Sequence, residues 1–352
     1  MAPTSRAAPA RAQRPTLEEV ASLAGVSRAT VSRVVNDSPR VSAELRDRVE
    51  SAIRDLGYLP NLAARTLVTQ RTMAVAVVMG ESATRVFTDP FFGGIVRAAT
   101  RELGRRGLQT IMLMVHDEQD RARVERYLAA GHVDGAVMFS LHRDDPLPLL
   151  TARIGLPTVL GGRPWTDADE ADEAGSTYSV DVDNTGGARL AVEHLLGQGR
   201  RRIATITGPL DITAGLDRLD GYRAALRAAG LADDELVVGG AFTQAGGEAA
   251  VVELLARDPT LDAVFAASDQ MAAGAIRALR RQGRTVPDDV AVVGFDDHLE
   301  IARWTEPPLT TVHQPIDEMG TKMVQLLTAR IDGDESPRRV VLPTHLVRRE
   351  SA

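Results

Sequence analysis

The stretch GVSRATVSRVVN, residues 25–36, decides how the first part of the chain folds. Gly25 permits a tight turn, and the hydroxyl of Ser27 can cap a helix that begins after it. Three valines then recur at the spacing of one helix face: Val31, Val34 and Val35. The residues between them are hydroxylic, small or basic, and none is acidic. The stretch therefore predicts a short helix with a buried apolar face and an exposed polar face.

Helical patterns also lie on either side of this stretch. Before it, Thr16 and Glu19 have the spacing of a capping box, and apolar residues share one face of the helix that follows. After it, Ser42 can cap a third helix that ends at Gly57. Three short helices with a glycine turn between the first two are typical of a helix-turn-helix, whose second helix enters the major groove of DNA.

The polar face of residues 27–33 has the chemistry that base recognition needs. Arginine can donate two hydrogen bonds to guanine, a small apolar side chain can contact a thymine methyl, and hydroxyls can bind phosphates or bases. The alternative is an ordinary solvent-exposed helix face. Because the caps, the glycine turn and the apolar stripe agree, the pattern favours DNA binding.

The charge distribution points in the same direction, although the whole chain has a net charge of −7. Residues 1–72 contain 11 basic and 7 acidic residues, whereas the rest contains 30 basic and 41 acidic residues. This asymmetry suggests that only the first part meets a polyanion, with chance clustering as the alternative.

Length and composition limit the remaining possibilities. A chain of 352 residues is expected to form two or three compact units. It has no cysteine, so it forms no disulfide and has no thiol chemistry. No apolar run approaches the length of about 18 residues that a membrane span needs, and the Ala/Pro/Arg-rich start lacks the apolar segment of a secretory signal. We therefore expect a cytoplasmic protein without a membrane partner.

From Met73 onward, apolar strands alternate with amphipathic helices. The predicted strands are 73–79, 109–115, 134–139, 157–160, 202–207, 263–268 and 290–295, and helices are predicted at 91–106, 184–198, 215–229, 245–257 and 270–282. Strands of this kind separated by helices indicate doubly wound parallel sheets that are covered on both faces. The segment is too long for one such sheet, so two lobes are expected.

Motifs along almost the whole chain resemble the lactose-repressor (LacI/GalR) family of bacterial transcription regulators. The resemblance begins with Thr16 to Asn36 and continues through Arg40-Val-Ser, Leu56-Gly-Tyr, Pro60-Asn, Ala64-Arg-Thr-Leu, Asp89-Pro-Phe-Phe, Val133-Asp-Gly, Val182-Asp-Asn, Gly221-Tyr, Ser268-Asp-Gln-Met, Gly294-Phe-Asp-Asp and Pro308-Leu-Thr-Thr. It implies an all-α helix-turn-helix headpiece, a hinge helix, and a two-lobed α/β body that is similar to periplasmic binding proteins. The expected organisation is a disordered tail at 1–14, the DNA-binding domain at 15–59, the hinge helix or linker at 60–72, and the body for effector binding and dimerisation at 73–352.

The resemblance also implies which residues contact operator DNA. Base contacts fall to Arg28, Ala29 and Arg33, and Leu67 is expected to wedge into the minor groove when the hinge folds. The other expected DNA-binding residues position the backbone or belong to the hinge: Thr16, Ser27, Thr30, Ser32, Asn36, Asn61 and Ala64. The partner is then a pseudo-palindromic double-stranded operator bound by a homodimer. Because Arg348 to Ala352 add no leucine heptads, we expect a dimer rather than a tetramer.

For the body, the resemblance implies a small-molecule effector between the lobes. Six residues are the expected contacts: Phe91, Arg163, Arg218, Phe242, Ser268 and Asp296. Aromatic faces with charged planar groups are typical of sugar sites, so we expect a saccharide, such as a glucoside or an oligosaccharide of glucose. Gly162 stands where the family's lactose repressor has an acidic residue, which argues against galactoside specificity. A purine or nucleoside is the alternative effector.

Other classes of protein are less compatible with the sequence. It contains no GxGxxG after a strand, no GxxxxGK[ST], no GxSxG and no HExxH, so we expect no enzyme, no catalytic residue and no cofactor. The histidines are scattered without the spacing of metal ligands, so no metal site is expected. A solute-binding protein of a sugar transporter is the main rival, but it would need an export signal and would not use a helix-turn-helix. A sugar-metabolising enzyme would have to turn its ligand over.

Overall fold

The computed structural model describes residues 15–35, 40–59, 71–165, 178–231, 236–334 and 337–352. The chain divides into two compact units after Thr72.

The first unit contains three helices, as the sequence predicts: α1 (Leu17–Ala24), α2 (Arg28–Val35) and α3 (Ala43–Leu56). The predicted capping box is present, because the Thr16 hydroxyl accepts from the backbone of Glu19 while the Glu19 carboxylate accepts from the backbone of Thr16. Gly25 adopts a left-handed conformation with φ 63°, which lets the chain turn tightly from α1 to α2. The helices enclose a small apolar core: Val20, Ala21, Ala24, Val31, Val34, Val49, Ala52 and Tyr58.

The second unit consists of two α/β lobes, each built around one sheet. In the first lobe the sheet comprises β1 (Ala74–Met79), β2 (Gln109–Met114), β3 (Gly135–Phe139), β4 (Thr158–Gly161), β5 (Tyr178–Val182) and β11 (Arg339–Leu342), in the order β11-β5-β4-β3-β1-β2. Its helices are α4 (Ala83–Thr88), α5 (Pro90–Arg105), α6 (Glu118–Ala129), α7 (Leu147–Arg153) and α13 (Ile316–Asp332). All of its paired strands are parallel.

In the second lobe the sheet comprises β6 (Ile203–Thr207), β7 (Val237–Gly239), β8 (Ala263–Ala266), β9 (Ala291–Asp296), β10 (Thr310–His313) and β12 (His345–Val347), in the order β12-β10-β9-β8-β6-β7. Its helices are α8 (Asn184–Gly197), α9 (Thr213–Ala228), α10 (Gln244–Arg257), α11 (Asp269–Arg281) and α12 (Leu299–Ala302). The edge strand β12 runs antiparallel to β10, and the other pairings are parallel.

The chain crosses between the lobes three times: after β5, after β10 and after β11. All seven strands predicted from the sequence are observed, with bounds that differ by one or two residues. Because the strands are mostly parallel, their carboxyl ends gather at one edge of each sheet, and these edges line a common cleft. In the part of the chain that is described, no helix is both long and apolar enough to cross a membrane.

Candidate DNA-binding face and inter-lobe cleft

The outer face of α2 presents the side chains that the sequence assigns to base recognition. Arg28, Ala29 and Arg33 are exposed, whereas Val31 and Val34 are buried on the opposite side. This division follows from the helical period, because the valines occupy the face that packs on α1 and α3. The helix thus offers two arginines and a methyl group on one accessible surface.

Ser27 and Thr30 form hydrogen bonds at the amino end of α2. Ser27 Oγ accepts a hydrogen bond from the backbone N–H of Thr30 at 3.2 Å and lies 3.0 Å from the Thr30 hydroxyl. The Thr30 N–H also donates to the Ser27 carbonyl at 2.9 Å, so both oxygens of Ser27 bind the first turn of the helix. Ser27 therefore fixes where the recognition helix begins, which is a structural role in addition to the predicted DNA contact.

Arg28 forms an ion pair with Glu18 of α1, with Nε 3.0 Å from Oε1. Both side chains are largely exposed. Exposed ion pairs stabilise proteins by only about 0–1 kcal/mol, so a bidentate contact with guanine can replace this one. Glu18 thus orients Arg28 without holding it firmly.

The other residues predicted to contact DNA fall into two groups, those that the structure describes and those that lie outside the described residues. Thr16 is exposed but uses its hydroxyl in the capping box, and Thr30 and Ser32 are half-buried on α2. Asn36, Asn61, Ala64 and Leu67 lie outside the described residues. Their DNA contacts remain predictions.

A cavity of about 300 Å³ lies in the cleft between the two lobes of the body. All six residues predicted to bind the effector line it: Phe91, Arg163, Arg218, Phe242, Ser268 and Asp296. They come from both lobes and from segments more than two hundred residues apart in sequence. Ligand sites in doubly wound folds occupy this position, at the carboxyl ends of the strands.

Arg218 lies at the centre of the polar part of the cleft. Its Nε donates to Asn184 Oδ1 at 2.9 Å, and Nη1 donates to the carbonyl of Ala267 at 2.6 Å and lies 3.4 Å from Asp296 Oδ1. The guanidinium also covers the ring of Phe295, 3.7 Å from its centroid. Complete burial lowers the pKa of Arg218, and the nearby carboxylates of Asp296 and Asp181 oppose this effect. The arginine is therefore rigidly oriented.

Asp296 completes this arrangement at the end of β9. Its Oδ1 accepts a hydrogen bond from Gln314 Nε2 at 2.5 Å, in addition to its contact with Arg218. Burial raises the pKa of Asp296 to about 6, although Arg218 acts in the opposite direction. Its backbone has φ 117°, which is strained for a residue with a side chain and is often found at binding sites.

Three other carboxyl groups near this position, those of Asp89, Asp181 and Asp269, are also destabilised in their charged form. Burial raises the pKa of Asp181 to about 6, and burial together with Asp296 raises the pKa of Asp89. Burial lowers the pKa of His298. The inner part of the cleft therefore disfavours extra charge unless hydrogen-bond donors compensate for it.

Aromatic rings form the apolar part of the cleft. Phe91 meets Phe92 edge to face, with centroids 5.4 Å apart, and Phe92 is buried. Phe242 has φ 56°, and its ring lies so close to Gly208 that a Cβ at that glycine would approach Cζ to 2.0 Å. Gly208 thus makes room for the Phe242 ring.

Ser268 and Arg163 are both engaged with the protein itself. Ser268 Oγ caps α11 by accepting from the backbone N–H of Met271 at 3.2 Å. Arg163 forms a bidentate ion pair across the cleft with Asp217, with contacts of 2.7–3.1 Å. Arg163 therefore joins the lobes, and its direct contact with an effector remains a prediction.

A second set of contacts joins the lobes near Asp211. His142 Nδ1 lies 2.7 Å from the Asp211 carboxylate, and the backbone N–H of Arg143 donates to the Asp211 carbonyl at 2.8 Å. His142 and Arg143 belong to the first lobe and Asp211 to the second. Together with the Arg163–Asp217 pair, these contacts hold the two walls of the cleft close to each other.

Several residues that line the cleft were not predicted from the sequence. Arg85 contacts Glu81 and lies 5.4 Å from the centroid of the Phe242 ring, and Asn184, Gln314 and Trp165 also face the cavity. Asn184 could have been predicted, because it closely follows a strand and belongs to the Val182-Asp-Asn motif that resembles the family. Among the described residues, no cluster of histidine and acidic side chains is arranged to hold a metal ion.

Comparison with known proteins places these observations in context. Residues 16–61 match the family "Bacterial regulatory proteins, lacI family", and residues 192–352 match the family "Periplasmic binding protein-like domain". The HTH-type transcriptional regulator CelR of Thermobifida fusca is 51% identical over 343 residues, which cover 97% of this chain and 99% of that protein.

Two solved structures are similar over nearly the full length. A CelR–cellobiose complex has 49% sequence identity and a TM-score of 0.76, and the match covers 96% of this chain and 100% of that one. The lac repressor dimer bound to operator and the anti-inducer ONPF has 29% identity and a TM-score of 0.82, with coverage of 96% and 99%. The predicted helix-turn-helix followed by a two-lobed α/β body is thereby confirmed.

Proposed function

Because this chain belongs to the LacI family of bacterial transcription regulators, we propose that it is a dimeric repressor whose affinity for operator DNA is switched by a glucose disaccharide of the cellobiose type. The family membership makes it a DNA-binding regulator with a sugar-responsive body. The disaccharide is our extension from the relative that is solved with cellobiose. We also place the protein in the cytoplasm, where it meets its operator.

The observation that carries the proposal is the composition of the inter-lobe cleft. Arg218, Asp296 and Asn184 offer fixed donors and acceptors to neighbouring hydroxyls, while Phe91 and Phe242 offer ring faces to the C–H groups of a pyranose. A few oriented polar groups within a largely apolar lining are what a neutral polyhydroxyl ligand requires. Since the polar groups are already paired with one another, the sugar enters a preorganised site.

Sugar binding would act on DNA affinity through the two lobes. A ligand that contacts both walls stabilises the arrangement in which the walls are close, and it shifts the population only by its difference in affinity for the two states. The coupling is reciprocal, so saturating operator must change the affinity for the sugar by the same factor.

On the DNA side, Arg28, Ala29 and Arg33 would read bases in each half-site, and the other polar residues of α2 would position the phosphate backbone. Salt should weaken operator binding steeply, because arginine contacts release counterions from DNA. A homodimer presents two copies of α2 to a pseudo-palindromic operator.

The test combines sugar binding with operator binding. The operator is first selected from random double-stranded DNA with the full-length protein, and thermal unfolding is then followed with cellobiose, glucose, galactose, ribose, hypoxanthine and a nucleoside. We expect cellobiose to raise the unfolding temperature and to change operator affinity in a gel-shift assay. Stabilisation by hypoxanthine or the nucleoside alone would instead support the purine alternative.

Two further results would refute the function itself. If no double-stranded sequence is enriched, the protein is not a sequence-specific regulator, and a solute-binding role would be favoured. If cellobiose is consumed during the incubation, the protein is an enzyme.

A further inference from the structure

The cleft extends beyond the polar cluster around Arg218. Its outer part is formed by the segment after β3, by α7 and by the segment after β4. The lining there combines apolar side chains with polar ones: Leu141, Pro148, Leu149, Ala152 and Trp165 beside Ser140, His142, Arg143 and Asp145. The polar inner part and this outer part therefore offer different surfaces to a ligand.

Trp165 is held in place on the wall of the outer part. The guanidinium of Arg143 covers its ring at 4.4 Å from the centroid, a distance at which a cation and an aromatic face attract each other. The backbone N–H of Arg143 is in turn bonded to Asp211 of the opposite lobe. The indole orientation is thus coupled to the contact between the lobes.

The indole N–H of Trp165 is a buried donor without an acceptor among the described residues. A buried donor that lacks a partner destabilises the folded state, and native structures rarely leave one without a reason. Because Nε1 itself is inaccessible although Trp165 lines the cavity, a ligand there meets the ring of Trp165 and not its N–H.

Arg163 connects the outer part to the inner part. Its guanidinium lies 6.0 Å from the Trp165 ring and binds Asp217, which directly precedes Arg218 in α9. Arg163 therefore lies between the Trp165 ring and Asp217. A ligand with two linked rings can place one ring at Arg218 and Asp296 and the next ring beside Trp165.

We propose that Trp165 forms a second sugar subsite, in which its ring stacks on the outer glucose of a disaccharide. Arg143 acts as a positioning residue behind the indole. This inference deepens the proposed function and rests on it, because it concerns the same cleft and the same class of effector. It makes Trp165 the residue that distinguishes a disaccharide from a monosaccharide.

The test compares the affinities of cellobiose and glucose by isothermal titration calorimetry on the full-length protein. Trp165→Phe keeps an aromatic face of smaller area, so cellobiose should bind about 3- to 10-fold more weakly. Trp165→Ala removes the aromatic face entirely, and a loss of about 30-fold or more is expected. Glucose, which needs only the inner part, should keep its affinity within about twofold in both variants.

The second tryptophan provides a matched control. The chain contains two tryptophans, and Trp304 is 82% exposed and lies outside this cleft. Trp304→Phe should leave the affinities for both sugars unchanged and should keep the change in tryptophan fluorescence that cellobiose produces. Trp165→Phe should abolish that change.

The possible failures are distinguishable. If the wild-type protein binds cellobiose and Trp165→Ala binds it equally well, the subsite is refuted while the proposed effector stands. Equal losses for glucose and cellobiose would also refute it, because Trp165 would then support the whole cleft. If the wild-type protein binds neither sugar, both the proposed effector and the subsite are refuted.

Discussion

Acidification should weaken sugar binding, because the cleft holds buried carboxyl groups whose pKa is raised towards neutrality. Burial raises the pKa of Asp296 to about 6, and it raises the pKa of Asp181 to about 6 as well. The ionised carboxylate is the stronger acceptor for a sugar hydroxyl, so a bound sugar favours the charged form. Binding therefore competes with protonation of the carboxyl group.

The magnitude follows from the pKa of Asp296. At about pH 7.5 nearly all of a group with a pKa of about 6 is ionised, whereas at about pH 5 only about one molecule in 11 is. If the sugar binds only the ionised form, its dissociation constant should rise by about 10-fold between these values. A second requirement for ionised Asp181 would increase the effect further.

Calorimetry at a series of pH values, in buffers of different ionisation enthalpy, measures both the affinity and the protons released. Near pH 6 we expect protons to be released when cellobiose binds. Asp296→Asn should bind more weakly at neutral pH and should lose most of the pH dependence. Constant affinity between pH 7.5 and 5, or tighter binding at pH 5, would refute the reasoning.

The stability of the sugar-free protein gives an independent check, because it should change in the opposite direction. The pKa of Asp296 is raised above its ordinary value of 3.8 in the folded state, so the folded state binds the proton more tightly than the unfolded state does. Its contribution to stability is complete below pH 3.8 and is lost as the pH rises through about 6. Weaker sugar binding at pH 5 therefore cannot be attributed to unfolding through this group.

Three further predictions concern the recognition helix and the cleft. Arg28→Ala should relax base preference at one or two symmetric operator positions, at about 1–3 kcal/mol per lost bidentate contact, whereas equal weakening on every operator variant in gel shifts would make Arg28 a phosphate contact. Gly208→Ala should displace the Phe242 ring, since the new Cβ would approach Cζ to 2.0 Å, and should weaken cellobiose binding in calorimetry without changing operator affinity in the absence of sugar. Gly197→Ala, where no atom lies within 4 Å of the new Cβ, is the matched control and should change neither quantity. Asp217→Asn should remove the charge that holds Arg163 across the cleft, so small-angle scattering should show a larger radius of gyration without sugar, and unchanged scattering would show that this pair does not hold the lobes together.

The sequence predicted the apolar strands well and the short polar ones poorly. β1, β3 and β9 are runs of buried apolar residues, so their burial dominates the pattern. β11 and β12 are edge strands of three or four residues with exposed positions, and their pairing depends on strands far away in the chain. Local pattern carries little information about such segments.

In the candidate site, too, some residues could be predicted from the sequence and others could not. The resemblance to the family indicated Arg218, Phe242 and Asp296 as effector contacts, and all three line the cleft. Of these, Asp296 lies at the end of a strand, where ligand sites of doubly wound folds are found. Arg85 was missed because it lies in α4, a helix of only six residues without an apolar period. The partner of Arg163 could not be predicted either, because Asp217 is distant in sequence and meets it only when the two lobes face each other.

The energetics of the body favour a switch that a small ligand can operate. Each of the buried apolar clusters within the described residues of the body belongs to one lobe, so the lobes do not share a core. The contacts across the cleft include polar pairs that are partly exposed, such as His142–Asp211, and pairs of this kind contribute about 0–1 kcal/mol each. To move a two-state population from 1:99 to 99:1, a ligand must bind one state more tightly than the other by about 5.5 kcal/mol of binding free energy. A few oriented hydrogen bonds and two stacked rings can supply this difference together. A disaccharide that contacts both lobes is therefore sufficient to set their arrangement, and scattering curves that are identical with and without cellobiose would show that the switch does not operate through lobe closure.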